Sequence, residues 1–123
     1  MGCETIVQVF FNMLLNIKLY HWETRIYARH KASCDLHSSL TDLTDKFIEV
    51  YMGRYSRPEF TNAFDVKVSQ LNDTNIKSAL NEYVKFLKYE LPKNVKESDT
   101  DLLNIRDEML GEFNKTLYLL TLN

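Results

Sequence analysis

Apolar residues recur at helical spacing in four runs separated by polar or turn-forming stretches. The first, about residues 4–23, is apolar over a broad arc: Ile6, Phe10, Met13, Ile17 and Tyr20 make one stripe, and Val7, Phe11, Leu14 and Leu15 widen it. Such a helix is expected to be covered on more than one side, by its own bundle and by another subunit. The second run, 27–52, aligns Leu36, Leu40, Leu43, Phe47, Val50 and Tyr51, and ends near Gly53 as C-cap, with Pro58 preventing early resumption. The third, about 74–90, starts at Thr74 as N-cap, turns Ile76, Leu80, Tyr83, Val84 and Leu87 inward, and stops at Leu91 and Pro92. The fourth, about 99–121, opens on a capping box of Ser98 and Asp101 and directs Leu102, Ile105, Met109, Phe113, Leu117 and Leu120 inward. The pattern predicts an all-α fold whose one long connection, 53–73, holds a short helix near Phe64 to Gln70 or an extended piece.

The second helix has three faces instead of two. Turning about 100° per residue, it shows the core stripe, a water-facing side with Asp35, Ser39, Asp42 and Lys46, and a third side with His30, Cys34, His37, Thr41, Asp45, Ile48, Glu49 and Met52. Imidazole and carboxylate make a mixed nitrogen and oxygen donor set that suits borderline divalent metals such as iron, zinc or manganese. Asp45 and Glu49 stand one turn apart, so both can reach one ion. The alternative is a solvated face, but Ile48 and Met52 have little place on a strip meant only for water. His21 continues the side of the first helix that holds Val7, Phe10, Leu14 and Ile17. Partial burial there obliges its imidazole to find a hydrogen-bond partner, such as a carbonyl, or a metal. Trp22 follows it as a packing residue. Cys34, one turn after His30, is expected to pack at a helix interface.

The run His21-Trp22, then His30, then Asp45 and Glu49 resembles the ferroxidase motif of the Dps family of small ferritins. The intervals from His30 to Asp45 and from Asp45 to Glu49 match that motif, and the His-Trp pair stands on the correct side of them. His21 and His30 are closer than in the family pattern, which shortens the link between the first two helices by about one turn. Cys34 occupies the place of a further acidic residue. The resemblance covers roughly residues 10–55 and is nearest to shortened Dps-like relatives of large phages and large DNA viruses. It implies a ferritin-like antiparallel four-helix bundle in which the long connection crosses along the bundle. It also implies oxidation of Fe²⁺ by peroxide or dioxygen at a mono-iron or di-iron site. His21 and His30 would be nitrogen ligands, Asp45 and Glu49 carboxylate ligands from a two-fold partner, and Trp22 would lie beside the metals. His37 shares their face as a lesser candidate ligand. The expected assembly is a homo-oligomer, at least a symmetric dimer, with formation of a hollow shell left open. The alternatives are a ferritin-like scaffold or adaptor without oxidation chemistry, and a structural zinc bridge between subunits built from the same residues.

Composition narrows the field. A chain of 123 residues with 45% hydrophobic content has room for one domain, 1–123, with a proper core. Its 15 basic and 17 acidic residues leave a formal charge of −2, so no global positive field draws it to nucleic acid or anionic membrane. The early apolar run is interrupted by Gln8, Asn12, Asn16 and Lys18, and fits neither a signal peptide nor a membrane span. No basic tail precedes the first helix, so DNA binding is not expected. The two cysteines, Cys3 and Cys34, have neither the count nor the spacing of a disulfide framework, which suits a cytoplasmic setting, the host's for a viral protein. Phosphate loops, nucleophile elbows and H-E-x-x-H are absent, and the last two helices carry no histidine.

Overall fold

The computed structural model describes residues 2–122, and all regular structure among them is helical. Helix α1 runs Cys3–Glu23, α2 Tyr27–Arg54, α3 Ile76–Lys85 and α4 Thr100–Leu119. The expected segments are present within a few residues of their predicted ends. They enclose one core in which Ile6, Met13, Tyr20, Leu40, Phe47, Met109 and Phe113 are fully enclosed. Phe10 meets Phe47 edge to face, ring centroids 5.6 Å apart, locking the first half of α1 to the second half of α2. Helix α2 also packs along α4, and α4 along α3.

Several predicted boundaries give way to tertiary contacts. Gly53 does not end α2: the helix passes through it to Arg54, and the N–H of Tyr55 caps the Tyr51 carbonyl. Arg54 explains the extension, because at that position it pairs with Asp99 at 3.3 Å and Asp101 at 3.0 Å. The same ion pairs engage Asp101, so the predicted capping box does not form; Asp99 is the N-cap residue and its buried carboxylate accepts from the Lys96 N–H and the Tyr55 hydroxyl. Asn75, not Thr74, precedes α3, with the Asn72 side chain accepting from both the Thr74 and Asn75 N–H groups. The third helical run ends at Glu90, ahead of Leu91 and Pro92 as predicted, but it is not α-helical throughout. The chain continues from α3 through a π-helical turn, Phe86–Glu90, into a 3₁₀ turn, Leu91–Asn94, whose first residues accommodate the proline. Leu87 and Leu91 are both fully buried, so the core holds this segment in place, and Arg106 takes up the Leu87 carbonyl at 3.0 Å.

Residues 55–75 form no regular element except the turn into α3, and the predicted short helix at 64–70 is absent. Polar pegs fasten this segment to α1 at successive heights. Glu4 accepts from the Glu59 N–H, Gln8 donates to the Asp65 carbonyl, Asn16 receives the Ser69 N–H and donates to the Lys67 carbonyl, and Tyr20 donates to Asp73. Phe60 stacks on Phe64 and Phe64 on Phe11, centroids 4.6 and 6.2 Å apart. Asn16, only 1% exposed, is the central peg, and it also donates to the Tyr83 hydroxyl of α3.

Candidate functional site

Three residues, 24–26, link α1 to α2, and Thr24 bonds through its hydroxyl to Asp73. So short a turn leaves His21 and His30 face to face: their rings stack with centroids 3.8 Å apart and planes inclined by 22°. Each Nδ1 lies against the other residue's backbone carbonyl, at 2.9 Å for His21 and 2.8 Å for His30. A carbonyl has no proton to give, so both Nδ1 atoms must be the donors. In the neutral ring this leaves the lone pair on Nε2, the tautomer seen where a backbone carbonyl orients a metal-binding histidine. His21 is buried and His30 half-buried. The alternative of a histidine bonded to a carbonyl thus describes Nδ1 of both rings and leaves Nε2 available. The Ser33 hydroxyl, which sequence reasoning missed, donates to the Arg29 carbonyl beneath the pair.

The remaining candidates are spread along α2. His37 is half-buried, and burial first, then the charges of Lys18 and His21, hold its pKa below the ordinary value. Asp45 and Glu49 are exposed and make no hydrogen bond or ion pair among the described residues. The fifteen residues from His30 to Asp45 correspond to about 22 Å of helix. The histidine pair and the carboxylates of one chain therefore stand at opposite ends of the same face, and no three His, Cys, Asp or Glu side chains of the described residues are grouped to hold an ion. Trp22 is not the packing residue expected: it is 66% exposed, with the Lys18 ammonium 5.6 Å from its ring. Cys34 is exposed too, in contrast to the expected packed position. Arg54 and Tyr55, at the end of α2, are engaged with Asp99 and Asp101.

Beside the carboxylate end of the face lies a groove of about 390 Å³, floored by Val7, Phe10, Phe11 and Leu14 of α1 and walled by Thr41, Asp45 and Ile48 of α2. Phe11 and Leu15 remain nearly half exposed, as the broad apolar arc of α1 anticipates when only one of its sides is covered by the chain itself.

These features define a small helical protein with a paired-histidine turn and an open apolar face. The chain belongs to the family of unknown function DUF5856, whose profile matches residues 21–120 and so includes both histidines and both carboxylates. It is also 34% identical, over 83% of its length and 74% of the relative's, to an uncharacterized 14.6 kDa protein from the mobD-ri intergenic region of Enterobacteria phage T4. No solved structure matches the chain. No helix among the described residues is long and apolar enough to cross a membrane.

Proposed function

We propose that the chain is a Dps-like, iron-binding ferritin relative of viral origin, which works in the host cytoplasm and oxidises Fe²⁺ at sites shared between two copies. The observation that carries this reading is the His21–His30 pair, with both Nδ1 atoms tied to carbonyls and both Nε2 atoms left to act as ligands. Two imidazoles from one copy and Asp45 and Glu49 from another make an N₂O₂ donor set suited to Fe²⁺, with coordination positions left for the oxidant. One peroxide takes one electron from each of two Fe²⁺ ions; its O–O bond breaks, and two hydrogen ions taken up from the buffered solution complete two water molecules. Carboxylates favour the ferric product by charge.

Support for the ferritin-like arrangement comes from the pegs along α1. Residues 59–73 meet α1 from Glu4 up to Tyr20, so the connection travels the length of the helix and α3 sets out from the same end as α2. Such a path supports reading the connection as the crossover of an antiparallel four-helix bundle. A second reading, an inert ferritin-like scaffold, draws on the same pair: the reciprocal bonds already close the α1–α2 turn with no ion. Anaerobic Fe²⁺ titration distinguishes them. The proposed function predicts saturable binding that is lost in His30→Ala and weakened in Asp45→Ala; the scaffold reading predicts no saturable binding in any form.

A further inference from the structure

The stacked histidines are only as well placed as the three-residue link that turns the chain between them, and that link is held from outside. Asp73, near the end of the long connection, gathers both sides of the turn. Its Oδ1 accepts from the Tyr20 hydroxyl at 2.8 Å and from the Thr24 hydroxyl at 2.9 Å. Arg29 donates to the Asp73 backbone carbonyl at 3.0 Å, with its guanidinium 3.6 Å from the carboxylate, and reaches on to the Leu120 carbonyl at the end of α4. Within the link, the Thr24 hydroxyl oxygen accepts from the Ile26 N–H at 3.2 Å. Tyr20 and Arg29, the residues held on either side, immediately precede His21 and His30. Asp73 thereby sets the separation of the two backbone carbonyls against which the Nδ1 atoms lie.

We propose that Asp73 is a positioning residue for the histidine pair: by fixing the α1–α2 turn it keeps the proton of each imidazole on Nδ1 and the lone pair on Nε2. The role rests on the reading of the two rings as ligands. A neutral imidazole carries one N–H, and the hydrogen bond that the ring finds decides which nitrogen holds it. Here each ring finds a carbonyl supplied by the other histidine, so both bonds depend on the geometry of the turn. When the turn opens, Nδ1 loses its acceptor, water serves either nitrogen, and a share of each ring carries its proton on Nε2. A protonated Nε2 has no lone pair to give a metal. Asp73 acts through Tyr20, Thr24 and Arg29, and so ties the connection and α4 to the state of the rings.

The test reads the ring-nitrogen NMR shifts of metal-free protein at about pH 8.5, roughly two units above the ordinary histidine value. In wild type, His21 and His30 should both be protonated at Nδ1 and bare at Nε2. Asp73→Ala should move a large share of both rings to the Nε2–H form. So should Thr24→Val, which removes only the hydroxyl that joins the link to Asp73 and stands in if Asp73→Ala does not fold. Asp73→Asn, whose amide oxygen can accept from both hydroxyls, should keep the wild-type pattern. Tyr55→Phe, which deletes a hydroxyl–carboxylate bond at the far end of α2, should leave it untouched. An unaltered pattern in Asp73→Ala, or in Thr24→Val should the first variant not fold, would overturn the proposal, as would an equal disturbance in Tyr55→Phe. Anaerobic Fe²⁺ titration adds a second arm, in which affinity should fall at least about 10-fold in Asp73→Ala, as is typical when a group that orients a ligand is lost. A pattern that collapses in Asp73→Ala while wild type binds no Fe²⁺ supports the positioning role and refutes the iron reading. Fe²⁺ binding and oxidation by wild type, with the pattern intact in Asp73→Ala, does the reverse.

Discussion

Asn16→Ala should detach the middle of the long connection from α1. The wild-type amide is buried inside an apolar arc: its carbonyl oxygen accepts the Ser69 N–H at 2.7 Å, and its nitrogen donates to the Lys67 carbonyl and the Tyr83 hydroxyl, each at 3.1 Å. Losing two bonds to the connection removes about 2 kcal/mol, and leaving the Ser69 N–H and Lys67 carbonyl short of partners in a half-closed space adds about 1 kcal/mol. A loss near 3 kcal/mol should lower Tm by roughly 10 °C in a domain of this size. Gln8→Ala, which removes a bond to Asp65 at the exposed edge, serves as the control and should stay within about 0.5 kcal/mol of wild type. Urea unfolding gives the energies, and amide exchange at Ser69 gives the location. Loss of less than about 1 kcal/mol in Asn16→Ala, with Ser69 still protected, would refute the view that this peg holds the connection.

Stability should fall in acid through Asp99. The Tyr55 hydroxyl, then the Lys96 N–H and the charge of Arg54, hold its carboxyl below the usual carboxylate range. A folded pKa below the unfolded one gives stability that is present above the unfolded value and lost as pH falls through the folded value. Urea midpoints of Asp99→Asn should consequently change less between pH 6 and acid than those of wild type. Cys3, whose thiol is pushed up to about 11 by burial and the neighbouring Glu4, should resist alkylation at pH 8 in Cys34→Ser protein until urea unfolds it. Asp45→Ala and Glu49→Ala should leave helicity unchanged, because neither side chain has a partner among the described residues. Each should lower the Fe²⁺ oxidation rate by at least about 10-fold, since even residues that only support metal ligands typically cost that much. His37→Ala should cost less.

The helices were legible because core stripes are long and regular: Ile6 to Tyr20 and Leu36 to Tyr51 need only the helical period to be read. Helix ends were less so, since local signals at Gly53 and Ser98 compete with contacts made by residues distant in sequence. Arg54 extends α2 toward Asp99 and Asp101, and buried Leu87 and Leu91 hold the π-helical and 3₁₀ turns on the core. Asn16 was visible only as an interruption of an apolar run, although an amide within such an arc already requires partners. At the candidate site, the positions along α2 could be read from spacing, whereas the stacked, reciprocally bonded histidines could not. They depend on how a three-residue link turns the chain. The exposure of Trp22 depends likewise on which neighbours reach that end of α1.

Stopped-flow absorbance after mixing anaerobically Fe²⁺-loaded protein with peroxide or air tests the central claim most directly. The account predicts a fast, saturable rise of the ferric absorbance that scales with protein, requires His30 and the Asp45–Glu49 pair, and exceeds oxidation of the same Fe²⁺ in buffer. A trace indistinguishable from protein-free Fe²⁺, or one unchanged in His30→Ala and in Asp45→Ala, would contradict it.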